Sequence, residues 1–224
     1  MKRTGILAAG LWVAAILCAA RARAADYART EPATTDAGYL ARLLINEAPF
    51  PGERGYLSEL DTKATMLSVL WVLHSRLEHV PEGYTQEQIA SVRASNVVEL
   101  ITAKNQCEGF FRDGAGKPAC AARVEDRLGN LTRIANGGGK PGRFASLLNF
   151  GQQLASAYLA GGMMGADRFA GLDVVNRIPV TGRAFAWMTD MDCYNPGGNF
   201  VPIPDVHDGR LGGNRFYTLR KEPR

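Results

Sequence analysis

The chain has 224 residues, 46% of them hydrophobic, which is enough to bury a core and excludes a wholly disordered protein. Its formal charge is +4, but Lys2, Arg3, Arg21 and Arg23 all fall in the first 24 residues. Without those four, 22 of the 26 basic residues remain against 22 acidic ones, so no basic surplus points to nucleic acid.

Residues 1–24 read as a signal peptide. Lys2 and Arg3 form a basic start, residues 5–20 are an apolar run, and Ala22-Arg23-Ala24 offers small residues for cleavage. The run is short for a membrane span, and no later stretch is long and apolar enough. Cys18 follows Leu17, which is too large for the lipoprotein cleavage pattern. The expectation is a soluble exported protein, periplasmic or extracellular, with no stable membrane insertion after cleavage. Cys107, Cys120 and Cys193 survive cleavage. In an oxidising compartment Cys107–Cys120 is the expected bridge, closing a Gly/Lys/Pro-rich loop, with Cys193 as an alternative partner.

Residues 25–35 are polar and predict a flexible lead-in to a single domain over 36–224. The first helix starts after Asp36 as N-cap and stops at Pro49. Leu40, Leu43 and Leu44 form its apolar stripe, and Glu47 takes the next position on that stripe. A carboxylate on the core side, at the negative end of the helix dipole, is disfavoured as a charge. A carboxyl that stays protonated is what a general acid needs. The alternative is a helix so oriented that Glu47 is solvated.

A loop over 52–60 carries Glu53 and Glu59. Asp61 then caps a helix over 62–79 whose centre, 66–73, is apolar all round and predicts a buried central helix. Thr85 and Gln88 form a capping box for a third helix reaching about 104. A loop over 105–118 holds Phe110-Phe111. Two further helices follow, over 119–135 and 143–159, separated by Asn136-Gly137-Gly138-Gly139. After Gly161 glycine, proline and aromatics dominate, with short strands expected at 184–188 and 215–219. The fold class read this way is mainly α, a helical core with an irregular, loop-rich C-terminal third.

The three histidines, His74, His79 and His207, lack metal-pair spacing, and no metal or cofactor is implied. GxSxG, GxGxxG and CxxC are absent. Carboxylates are the better candidates. Glu47 stands first and Glu53 is a candidate second, with Glu59 and Asp61 in the same loop. Paired carboxylates are the general pattern of glycoside cleavage. Arg76 and Glu78 read as ordinary surface or capping charges.

The order of motifs resembles the cell-wall hydrolase family typified by the spore cortex-lytic enzymes. Glu47-Ala48 ends the first helix, and His74-Ser75-Arg76 ends the apolar one. Gln106 and Phe110 form a stretched Gln-Phe element, Tyr194-Asn195-Pro196 follows, and Gly212-Gly213-Asn214-Arg215-Phe216-Tyr217 closes the series. The family's Arg-Gly-Glu is replaced by Pro49-Phe50-Pro51-Gly52-Glu53, and Asn214 stands where the family has His. The resemblance implies a lysozyme-like α+β fold and cleavage of the glycosidic bond between N-acetylmuramic acid and N-acetylglucosamine. It makes Glu47 the general acid, with peptidoglycan glycan strands as the partner. It also implies a substrate cleft built from Gln106, Phe110, Tyr194, Asn195, Asn214, Phe216 and Tyr217, with no cofactor. The rival expectation is a catalytically inactive peptidoglycan-binding or envelope-scaffold protein of the same fold.

Overall fold

Two helices carry the longest buried stretches. The computed structural model describes residues 27–163, 168–169, 171–175, 177–189 and 196–221. The expected signal peptide, Cys193, Tyr194 and Asn195 lie outside these residues. Helix α1 (Asp36–Glu47) is capped by Thr35, whose side chain accepts from the Gly38 N–H, and it is buried without interruption from Gly38 to Ile45. Helix α2 (Glu59–Glu78) is capped by Ser58 and buried on every side across Met66–Leu73, apart from the half-buried Leu67. Each fully buried Leu or Ile contributes about 1.5–3 kcal/mol, so these two stretches dominate the core.

Helices α3 (Gln86–Ala90) and α4 (Val97–Thr102) replace the single third helix the sequence predicts. The capping box at Thr85 and Gln88 forms, but Ser91 adopts φ +54° and ends the helix after little more than a turn. Gln86 holds the break in place. Its side chain donates to the carbonyls of Arg76 and Ala94 and accepts from the Ala94 N–H. Asn96 then caps α4 afresh.

The expected loop over 105–118 contains an antiparallel hairpin of β1 (Phe110–Arg112) and β2 (Pro118–Cys120). The Tyr39 hydroxyl anchors it to α1, lying 3.1 Å from the Ala119 carbonyl and 3.2 Å from that of Phe111. Helices α5 (Ala122–Asn136) and α6 (Arg143–Gly161) complete the helical layer, and both pack on α1. Gly151 lets α6 come close, since a β-carbon there would sit 2.9 Å from Ile45 Cγ1.

The lead-in is not free where it is described. The N–H groups of Ala28, Arg29 and Glu31 donate to the side-chain amides of Asn136, Asn149 and Gln152, and Ala28 is buried. Amide side chains on α5 and α6 thus satisfy a backbone that composition alone marks as flexible.

In the C-terminal third, β3 (Val174–Val175) and β4 (Ile178–Pro179) pair with each other. Strands β5 (Ala186–Thr189), β6 (Phe200–Pro202), β7 (Arg210–Leu211) and β8 (Asn214–Leu219) form one sheet. Its order is β5-β8-β6, all antiparallel, with β7 also on β8. Strand β8 is buried almost throughout, and β5 and β7 contact α2. Helix outweighs strand, 42% to 15%, and the fold is mixed α+β with small sheets.

The β7–β8 turn is held tightly. Gly212 has φ +56°, and a β-carbon there would lie 2.1 Å from Thr65 Oγ1 on α2. We therefore expect Gly212→Ala to cost about 2–4 kcal/mol, from the backbone conformation and the overlap together. Thermal melts followed by circular dichroism check this, and an unchanged melting temperature contradicts it.

Candidate active site

Helix α1 stops because Pro49 cannot extend it, and Ala48 turns the chain into extended backbone. Burial ends at Ile45, while Asn46 and Glu47 are half-buried. The last turn of α1 therefore opens into a cleft of about 1300 Å³, lined by Glu47, Arg76, Gln106, Trp187 and Asn214 among others. Glu47 does not join the core stripe as its periodicity suggests. It points its carboxylate across the cleft to β5, where Trp187 Nε1 donates to Oε2 at 3.0 Å. Asn46 Nδ2 donates to Oε1 at 3.2 Å. Asn214 Nδ2 donates to the Glu47 backbone carbonyl at 2.7 Å and so holds the segment from the β7–β8 turn.

Arg76 forms the floor beside this carboxylate. It is not an ordinary surface charge. Its Nε donates to the Phe185 carbonyl at 2.6 Å, and Nη1 donates to Gln106 Oε1 at 3.1 Å. Its guanidinium lies 5.5 Å from the Trp187 ring centroid. Burial pulls its pKa down to about 10, which still leaves it charged at neutral pH. Glu47, Trp187, Arg76 and Gln106 thus form one chain of contacts. Sequence reasoning missed Arg76 and Trp187. Arg76 closes the apolar α2 pattern, which was a usable signal. Trp187 had none, because its role comes from strand pairing opposite Phe216 on β8.

Glu53 also lines the cleft, but as the partner of a half-buried cation. Arg127 on α5 donates through Nε to Glu53 Oε1 at 3.0 Å and through Nη2 to Oε2 at 2.5 Å. The same guanidinium donates to the carbonyls of Ile45 and Ala48, at 2.8 and 3.0 Å. Glu53 also accepts from the Phe50 N–H at 2.7 Å. Both its oxygens are engaged, so it is not a free second acid. It neutralises the arginine that satisfies the open carbonyls at the C-terminus of α1. Glu59 is committed elsewhere, tying α2 to α6 through Lys63 and Ser146. Burial alone would raise its pKa, but those two hydrogen bonds, together with the Lys63 and Arg143 charges, outweigh it and hold the carboxyl below its ordinary value.

Two expected substrate contacts are corrected. Phe110 does border the cleft, but it is buried edge-on to Tyr39 at 5.5 Å, and its neighbour Phe111 is the exposed cleft aromatic. Phe216 and Tyr217 are both buried on β8, because the sheet packs against the helical layer and offers neither as a stacking face. Gln106 and Asn214 do line the cleft. Tyr194 and Asn195 fall outside the described residues, as does Cys193. The expected Cys107–Cys120 bridge is absent, and both are free thiols. The hairpin register sets Cys120 opposite Phe110, and Cys107 lies before the turn that leads into β1. Beyond Gly212 and Gly213 the cleft runs on into a second hollow of about 730 Å³, past Leu57 and His207. There Asp205 accepts from the His207 and Gly209 N–H groups, an ordinary Asx turn.

Two outcomes follow from this geometry. A double-mutant cycle on Arg127→Met and Glu53→Gln should give a coupling of about 1–3 kcal/mol in chemical denaturation, and additive effects contradict the clamp. Burial raises both thiols, Cys120 to about 12, with the Glu125 charge adding to it. Both stay protonated at neutral pH, and peptide mapping after iodoacetamide should find them labelled mainly in denaturant.

Protein-family models, curated proteins and solved structures contain no significant match to this chain.

Proposed function

We propose that the chain is an exported peptidoglycan glycosidase of lysozyme-like fold, cleaving between N-acetylmuramic acid and N-acetylglucosamine with Glu47 as general acid. The observation that carries this reading is the setting of Glu47. Its carboxylate is oriented by Trp187 and Asn46, and its backbone is pinned by Asn214. It opens on a cleft larger than one small ligand needs, as a polymer requires. The ordered motifs from Glu47-Ala48 to Gly212-Gly213 support the same reading.

The carboxylates in the cleft favour a course that uses one acid. Glu53 is held by Arg127 and Glu108 pairs with Arg123, which leaves Glu47 among the described residues. Glu47 protonates the glycosidic oxygen as it leaves C1 of the muramyl residue. The C6 hydroxyl of that residue then attacks C1, and the Glu47 carboxylate takes its proton. The products are a 1,6-anhydromuramyl end and a free 4-hydroxyl, with Glu47 returned to its acid form and no water consumed. Trp187 Nε1 steadies the carboxylate between the two proton transfers. Gln106 offers an amide to the glycan and Phe111 an exposed ring, while the Asn214 amide stays on the Glu47 backbone.

The engagement of Glu53 also supports a second reading, a protein that binds peptidoglycan without cleaving it. Glu47→Gln decides between them. On the glycosidase reading it lowers muropeptide release from purified sacculi by about 100-fold or more, with an unchanged melting temperature. Mass spectrometry should find anhydro-muropeptides from the unsubstituted protein. Sacculus binding with no soluble product establishes the second reading instead, and full activity of Glu47→Gln removes Glu47 from the chemistry.

A further inference from the structure

The exported chain is electrically balanced, yet the described part of its cleft is not. Among the described residues the cations that line it are Arg54, Arg76, Lys104, Arg112, Arg123 and Arg127. The carboxylates among them are Glu47, Glu53 and Glu108. Arg127 and Arg123 are spent on Glu53 and Glu108, and Arg76 is turned inward to the Phe185 carbonyl and Gln106. Arg54, Lys104 and Arg112 remain. All three are exposed, and none makes an ion pair among the described residues. They come from three separate places: the loop after α1, the turn after α4, and strand β1, where the Arg112 side chain donates to the Gly116 carbonyl.

A glycan whose lactyl carboxyls are all tied up as amides carries no charge of its own and leaves these cations without partners. The peptide stems on peptidoglycan carry free carboxylates. We infer that Arg54, Lys104 and Arg112 form a rim that binds stem carboxylates, so that the preferred ligand is the peptide-bearing strand. This inference rests on the peptidoglycan reading above. Exposed ion pairs are individually weak, but three acting together give a preference of roughly ten-fold. Their effect falls mainly on association and is screened by salt.

The test uses the full exported chain carrying Glu47→Gln, to stop turnover, and calorimetry on two soluble ligands. One is uncross-linked glycan with its stems intact; the other is the same material stripped by an amidase and then capped as the methylamide at each lactyl carboxylate so freed, which makes it neutral. Stemmed strands should bind roughly ten-fold tighter at low salt. That ratio should fall toward one at high salt, and in the variant with Arg54→Gln, Lys104→Gln and Arg112→Gln. Equal affinity for stemmed and stripped strands overturns the inference, as does a triple variant that keeps the full preference. A short DNA duplex bound as tightly as stemmed strands marks a general polyanion surface and also overturns it. Turnover by the unsubstituted protein is read separately. A stem preference without any cleavage product supports the rim and rejects only the glycosidase reading, whereas cleavage without preference rejects only the rim.

Discussion

The C-terminus of α1 is the point on which the cleft depends. A helix buried over eight consecutive residues ends with carbonyls that water cannot reach easily, and these need donors. Arg127 supplies them, holding the Ile45 and Ala48 carbonyls from α5. A cation placed there needs a counter-charge, and Glu53 provides it from the loop that follows. The Phe50 N–H on Glu53 and the Phe50 ring, 5.5 Å from the guanidinium, close the arrangement. The residues just past Glu47 are thereby fixed in space, and so is the direction in which Glu47 leaves the helix.

The opposite wall comes from far along the chain. Trp187 reaches Glu47 from 140 residues away because β5 pairs with β8, and β8 is the buried middle strand of the sheet. The turn before β8 brings Asn214 onto the Glu47 backbone. That turn must press on Thr65 and Gly55, which is why two glycines stand in it. Arg76 then links the two walls, bonding to the Phe185 carbonyl just before β5 and to Gln106 on the helical side. The helical layer and the sheet are therefore joined through polar contacts at the cleft as well as through a shared core.

Much of this was readable beforehand. Local rules found both core helices, the capping box at Thr85, and the strands at β5 and β8. They failed where a side chain replaced a local signal. Gln86 breaks a helix that the apolar pattern continues, by satisfying the Ala94 backbone. Asn136, Asn149 and Gln152 dock a lead-in whose composition reads as flexible. Tyr39 stabilises a hairpin whose strands are only three residues long. Each of these amides and hydroxyls is unremarkable in the sequence and acts only through a partner brought near by folding.

The same division holds at the site. The sequence by itself determined that Glu47 ends an apolar helix before a proline, because helical periodicity and the proline ring are local constraints. It also determined that Asn214 sits in a glycine turn entering a strand. Only the tertiary structure decided what surrounds them. Burial turned Phe216 and Tyr217 from cleft faces into core, since a residue's exposure depends on what packs over it. Long-range pairing gave Glu53 to Arg127 and brought Trp187 and Arg76 to Glu47. Charge partners are set by distance in space, and spacing along the chain does not encode that distance.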